Sequence, residues 1–265
     1  MVRWIVVLLC GLCCLAVTPS AQAAVSEAAL ARGEAIATQA IEAAERGDFA
    51  ASEAFWSDLI DQFPENPALW SNRGNVRVAQ NQLDAAIADY NQAIDLAPEA
   101  PDPYLNRGLA YEGQQHWEQA IADYNHVLAL TPEDPFAYNN RGNAEAGRGH
   151  WPQALADYEQ ACTLAPDFAL ARVNRALALY ELGQTREAVQ ALRALTRKYP
   201  LFADARAALT AALWAQGQQG EAESNWVSAV GLDSRYQDLD WVSSLRRWPP
   251  SVTAALDKFL SLDDS

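Results

Sequence analysis

The chain has 265 residues, half of them apolar, with 34 acidic against 19 basic side chains and a formal charge of −15. That apolar content excludes an intrinsically disordered polymer, and so acidic a body repels phosphate backbones, which excludes nucleic-acid binding by electrostatics. The length suits one or two compact domains or one elongated array.

Residues 1–23 differ in kind from the rest. Arg3 supplies a positive start, Trp4 to Val17 form an uncharged apolar run, Pro19 and Ser20 break it, and Ala21-Gln22-Ala23 fits a small-x-small cleavage site. This is the pattern of a secretory signal peptide, so the chain is expected to be exported. A retained anchor is the competing reading, but an apolar run of about 14 residues falls short of the ~20 that span a bilayer. A lipoprotein needs its acceptor cysteine after the run, whereas Cys10, Cys13 and Cys14 lie inside it. Cleavage would remove Arg3 and those three cysteines, taking the charge from −15 to −16 and leaving Cys162. One thiol makes no intramolecular bridge, so no disulfide framework is expected. Cys162 falls on the buried side of a predicted helix, as an inert core thiol.

From Ala24 to Arg46 the sequence is alanine-rich and helical, with Gly47 placed to stop the helix. A second helix over Phe49–Phe63 ends at Pro64. Residues 24–66 read as a degenerate first repeat or cap, because a fixed spacing sets in afterwards. The units 67–100, 101–134 and 135–168 each open with an aromatic (Trp70, Tyr104, Tyr138). A glycine follows four residues later (Gly74, Gly108, Gly142), then an alanine (Ala86, Ala120, Ala154), a tyrosine (Tyr90, Tyr124, Tyr158) and a proline (Pro98, Pro132, Pro166). The small residues let paired helices approach, the tyrosine is expected to fill the groove between neighbouring units, and the proline ends one unit and starts the next. Asn81, Gly149 and Gly183 suit a left-handed turn inside the unit; Gln115 departs from this. Unit 169–202 keeps Ala188 and Pro200 but has Ala176 and Leu192 for the glycine and tyrosine. Unit 203–236 keeps Gly217, Ala222 and Trp226, with Ser234 where proline is expected. Residues 237–265 leave the period: a short amphipathic helix is predicted over Leu239–Arg247, then Pro249 and Pro250, then a helix capped by Ser251 and running to about Leu260.

This period and residue pattern resemble the tetratricopeptide repeat. The resemblance implies an all-α fold, a right-handed solenoid of antiparallel helix pairs with five to six repeats and a C-terminal helical cap. It also implies a non-enzymatic scaffold that binds a partner protein segment in a concave groove lined by the first helix of each unit. The mature chain, including ALTAALWAQGQQGEAESNWVSAVGLD and the RRWPP tail, is similar to exported tetratricopeptide proteins of cyanobacteria and plant plastids. That likeness implies a periplasmic or thylakoid-lumen location and an assembly or maintenance role near photosynthetic membranes.

In that family the groove is lined from the second, fifth, sixth, ninth, twelfth and thirteenth positions of each unit. The sixth gives Asn72, Asn106, Asn140 and Asn174, the ninth gives Asn75 and Asn143, and the fifth adds Asn139. Such a ladder of amides suits the backbone of an extended peptide, each amide offering donor and acceptor. The alternative is that the sixth-position amides bond within the array; the ninth-position pair is the more available for a ligand. A subclass clamps terminal carboxylates with basic residues, but Ser71, Phe136 and Asn140 stand where cations are needed, so that ligand is rejected. In the four units from 67 to 202 the groove positions carry only Asp102, Glu112 and Glu181 as charges, which suits a neutral or mildly basic partner segment.

Arg73, Arg107, Arg141 and Arg175 follow the asparagines, and Asp89, Asp123 and Asp157 lie on the second helices. Pairing across the helix packing is favoured over a binding stripe. Arg246, Arg247 and Trp248 form a basic, aromatic island that suits a secondary partner contact, unless Trp248 packs on the last repeat. His116, His126 and His150 fit no catalytic or metal-binding spacing, and no phosphate-binding or nucleophile motif is present, so no cofactor or metal is expected. The alternative function is a structural module that self-associates by end-to-end stacking of repeats. A solute binder would need a closed cavity, which an open helical array does not offer.

Overall fold

The computed structural model describes residues 27–261; the expected signal segment 1–23 lies outside them. Thirteen α-helices follow one another among these residues, without a strand. The first six are α1 (Glu27–Glu45), α2 (Phe49–Gln62), α3 (Pro67–Ala79), α4 (Leu83–Leu96), α5 (Pro101–Gly113) and α6 (Trp117–Leu130). They form one compact unit that ends at Leu130. The second unit begins at Thr131 and holds α7 (Pro135–Gly147), α8 (Trp151–Leu164), α9 (Ala169–Glu181), α10 (Thr185–Lys198), α11 (Ala203–Trp214), α12 (Gln219–Leu232) and α13 (Pro250–Leu260). Up to α12, helices pair in sequence as antiparallel hairpins, and within each unit the second helix of a pair also packs on the first helix of the next.

The sequence sets both ends of each pair. Pro67, Pro101 and Pro135 sit in the first turns of α3, α5 and α7, where the missing N–H costs nothing. Asn66 and Asp134 accept from backbone N–H groups of the turns they precede, as Asp48 does for α2. Each hairpin turn passes through one left-handed residue: Gly47, Asn81, Gln115, Gly149, Gly183 and Gly217. Gln115 adopts φ 60° although nothing in its side chain favours it. The hydrogen bond that closes the turn, from His116 N–H to the Tyr111 carbonyl at 2.9 Å, matches those of the glycine-bearing turns and imposes the conformation.

Tyr90 and Tyr158 share small apolar clusters with Ala110 and Ala178 of the next unit, as the sequence reading expects. Tyr90, Tyr124 and Tyr158 also lie on the glycine of their own unit. A methyl group added to Gly74, Gly108 or Gly142 would stand 2.5–2.7 Å from the ring. Tyr90 and Tyr124 are buried almost completely, and burial pushes the Tyr90 phenol well above its ordinary value. Cys162 is half-buried rather than part of the core, and burial raises its thiol.

The tail departs from expectation in detail. The helix expected over Leu239–Arg247 is present over 239–245, but it follows a 3-10 turn at Ser234–Gln237 and widens into a π-helical turn at Trp241–Leu245. The wider turn carries Arg246 and Trp248 back onto Asp204 of α11. Ser251 does not precede the last helix but lies in its first turn, where its N–H donates to Glu181 at 3.0 Å.

Gly108→Ala should lose about 1–3 kcal/mol of stability by overpacking against Tyr124, despite the better helix propensity of alanine. Gly231→Ala on α12, where nothing lies within 4 Å, should gain up to about 1 kcal/mol. Urea unfolding of the two variants checks the contrast.

Candidate partner-binding face

The amides expected to meet a ligand are placed by the first helix of each pair. In the unit ending at Leu130, Asn72 and Asn75 lie on α3 and Asn106 on α5, and all three are buried. Asn75 is the deepest, wholly covered, and its Oδ1 accepts from the Tyr90 hydroxyl at 2.8 Å. In the unit beginning at Thr131, Asn143 likewise accepts from Tyr158 at 3.0 Å. The ninth-position amides are thus both bonded to the tyrosine that lies on the neighbouring glycine, and Asn75, wholly covered, is not the available amide expected of it. Where Leu109 takes that position, Glu112 accepts from Tyr124 at 2.5 Å and is itself buried.

Four amides of the second unit form one network. Asn174 on α9 donates to Asn139 and Asn143 on α7 at 3.0 and 3.2 Å, and Asn139 donates to Asn140 at 3.2 Å. These bonds bridge the first helices of adjacent repeats. Asn139 is buried, whereas Asn140, Asn143 and Asn174 are half-buried and remain in reach of solvent. The ladder therefore both ties the repeats together and presents part of its amide surface.

The arginines are structural. Arg73 holds Asp89 with two bonds of 3.0 and 2.7 Å, Arg107 holds Asp123 at 2.9 and 2.6 Å, and Arg141 holds Asp157 at 2.9 and 2.6 Å. Such a planar, bidentate fit fixes the register of the two helices. Each guanidinium also lies 5.0–5.5 Å from the aromatic that opens its unit, Trp70, Tyr104 or Tyr138. Unit 169–202 has Ala191 in the aspartate's place, and Arg175 turns to Glu159 on the preceding helix at 3.0 Å. Arg77, one turn beyond Arg73, was not singled out from the sequence. It joins Asp89 at 2.9 Å and Glu53 of α2 at 2.8 Å. Burial tends to raise the Glu53 carboxyl, and hydrogen bonds from Arg77 and Gln80 outweigh it, leaving the group below its ordinary value.

The RRWPP island is not an exposed anchor. Trp248 is 4 % exposed, lies tilted against Tyr236 with ring centroids 5.6 Å apart, and donates to Asp204 at 3.3 Å. Asp204 also takes the Tyr236 hydroxyl at 2.6 Å and the Arg246 guanidinium. The carboxylate that organises this clasp stands one residue inside α11, and only its neighbourhood in space marks it. Arg247 alone of the three is exposed, in a left-handed conformation at φ 54°. Among the described residues no three His, Cys, Asp or Glu side chains are grouped to hold a metal, and His126 lies against the Tyr104 ring at 4.0 Å.

Paired helices of 13–14 residues from α3 to α10, recurring at a 34-residue step and carrying this glycine–tyrosine contact from α3 to α8, define a tetratricopeptide-type helical repeat. Family models described as TPR repeat and tetratricopeptide repeat match residues 74–115, 107–173 and 170–201. Residues 74–201 are tetratricopeptide repeats. The solved structures it is similar to include a tetratricopeptide repeat protein from Parabacteroides merdae, with TM-score 0.66 and 19% identity over 86% of this chain and 92% of that one. PilF of Pseudomonas aeruginosa gives TM-score 0.66 and 16% identity over 76% and 92%. YrrB, described as a TPR protein with an unusual peptide-binding site, gives TM-score 0.53 and 21% identity over 68% and 92%. At such identities these likenesses establish the fold. No curated protein matches the chain in sequence. Proteins of this repeat class mediate protein–protein contacts and are typically non-enzymatic.

Arg141→Ala should cost about 2–3 kcal/mol, because it strands the Asp157 carboxylate; this is below the fully buried range since a quarter of the arginine is exposed. Thermal unfolding checks it. The depressed Glu53 carboxyl contributes stability that is complete above its ordinary value of 4.5 and is lost as pH falls through the lowered folded value. Glu53→Gln should therefore flatten the acid limb of a stability–pH curve below pH 4.5 and leave its neutral region parallel to that of the unmodified chain.

Proposed function

We propose that this protein is an exported, non-enzymatic scaffold that docks an extended segment of a partner protein on the first-helix face of its repeats. The partner segment is neutral or mildly basic. The observation that carries this is the amide network of α7 and α9, where Asn140, Asn143 and Asn174 stay accessible while bonded to one another. An amide already held by a neighbour is preorganised, so a peptide backbone that pairs with it orders little else. The peptide-binding site described for the similar protein YrrB supports the same use of the fold. The location proposed is the periplasm or thylakoid lumen, with a role in assembly or maintenance near photosynthetic membranes. It rests on the signal-like sequence of residues 1–23 and on the likeness of the mature chain to exported repeat proteins. Among the described residues no helix is long and apolar enough to cross a membrane.

An array of extended peptides, neutral and basic, screened against residues 24–265 tests the reading. Asn140→Ala should weaken the retained peptides about tenfold, the effect of one lost amide contact to a ligand. Arg141→Ala should lower thermal stability and leave peptide affinity within about twofold. Retention of no peptide, or equal affinity after Asn140→Ala, would count against amide-face docking. Sedimentation over a concentration series separates this from end-to-end self-association, since a client-binding monomer keeps its mass.

A further inference from the structure

Helix α13 breaks the alternation of first and second helices. It packs on α11 and α9, which are both first helices, and so covers the first-helix face of these two repeats. The lining of that face changes where it lies. The sixth and ninth positions are Asn140 and Asn143 on α7 but Ala208 and Ala211 on α11, both wholly buried. Small side chains there admit a helix at close range. Between α9, α10, α12 and α13, every residue of α11 from Asp204 to Leu213 except Arg206 is buried.

What α13 brings to this surface is a stripe. Val252, Ala255, Leu256 and Phe259 recur at i, i+3, i+4 and i+7, and all four are buried. Phe259 meets the edges of Trp214 and Trp226 at 5.2 and 5.4 Å. The polar end is fitted as well: Glu181, at the end of α9, accepts from both the N–H and the hydroxyl of Ser251, so its carboxylate sits at the positive end of α13. An amphipathic helix laid in an apolar groove with anchors at this spacing is a known mode of recognition between proteins. Here it is made within one chain. The Asp204 clasp closes at Trp248, two residues before α13 begins, so the tail stays attached without help from α13.

We propose that α13 is a resident ligand in cis, and that its groove on α9 and α11 takes an amphipathic helix of a partner protein. That helix carries a serine or threonine in its first turn, for Glu181, and apolar anchors at the α13 spacing ending in an aromatic, for Trp214 and Trp226. Tethering gives α13 a high effective concentration, so the partner helix must out-compete it or arrive when α13 is out. The inference rests on the scaffold reading above but concerns a separate surface, and the two fail separately: Asn140→Ala leaves the groove intact.

The probe is a fluorescent synthetic peptide of residues 249–261, titrated into the mature chain and into its Phe259→Ala variant. Binding at least tenfold tighter to the variant is expected, along with a loss of similar size when the peptide itself carries Phe259→Ala. Equal affinity for the two chains, or binding to neither, overturns the proposal. Hydrogen exchange on the unmodified chain gives a second reading that needs no variant. The amides of α13 should exchange at least tenfold faster than those of α11, and saturating peptide should speed α13 further while α11 stays protected. Exchange of α13 and α11 at one rate, with or without peptide, refutes a displaceable helix. Mass that doubles with concentration through exchanged α13 helices would assign the groove to a second copy and overturn its assignment to a foreign helix.

Discussion

The contact on which the repeats depend is a tyrosine ring lying against a glycine sixteen residues earlier. No other residue type leaves room for the ring, since even a single methyl carbon would overlap it. Once the ring is seated, its hydroxyl falls beside Asn75, Glu112 or Asn143, and the arginine just before the glycine falls beside the aspartate that precedes the tyrosine. One steric fit thus fixes a buried hydrogen bond and a bidentate ion pair together. The later repeats reach the same closeness differently. Ala176 and Leu192 are a smaller apolar pair, fully buried, and Thr210 faces the chain near Trp226 with its hydroxyl turned to the Ala222 carbonyl at 3.3 Å.

This arrangement decides which polar groups are left for other molecules. The acid surplus of the chain suggests many uncommitted carboxylates, yet the buried ones are used: Asp89, Asp123 and Asp157 by arginine, Glu112 by tyrosine, Asp204 by three donors at once. A buried carboxylate without such partners would be costly, so burial and pairing come together. The amides divide in the same way. Asn75 is wholly covered beside its tyrosine, whereas Asn143, though bonded to Tyr158, keeps surface for a ligand with Asn140 and Asn174 while the network holds α7 and α9 together.

The C-terminal region follows a different rule. Where the periodic pattern lapses, amides give way to alanines on α11, and the chain's own last helix fills the space. The first-helix face is therefore not uniform along the second unit. It is polar and open at the amides of α7 and α9, and apolar and covered beneath α13.

The sequence by itself determined the helix pairs, their length and their step, because proline, glycine and the aromatic–glycine–tyrosine spacing act within a few turns of the backbone. It also made the arginine–aspartate pairs legible, since both partners recur at the repeat step. The left-handed turn at Gln115 was not legible, because it is imposed by a hydrogen bond between flanking residues rather than by the residue itself. Nor was the use of Asn75 and Asn143 by tyrosine, which follows from where a ring points once it is packed. The fate of Trp248, Arg246 and α13 was decided by tertiary structure alone. Their partners, Asp204, Glu181, Trp214 and Trp226, lie 33 to 70 residues away and share no spacing with them. Contacts that recur leave a period in the chain, while a contact made once between distant segments leaves none.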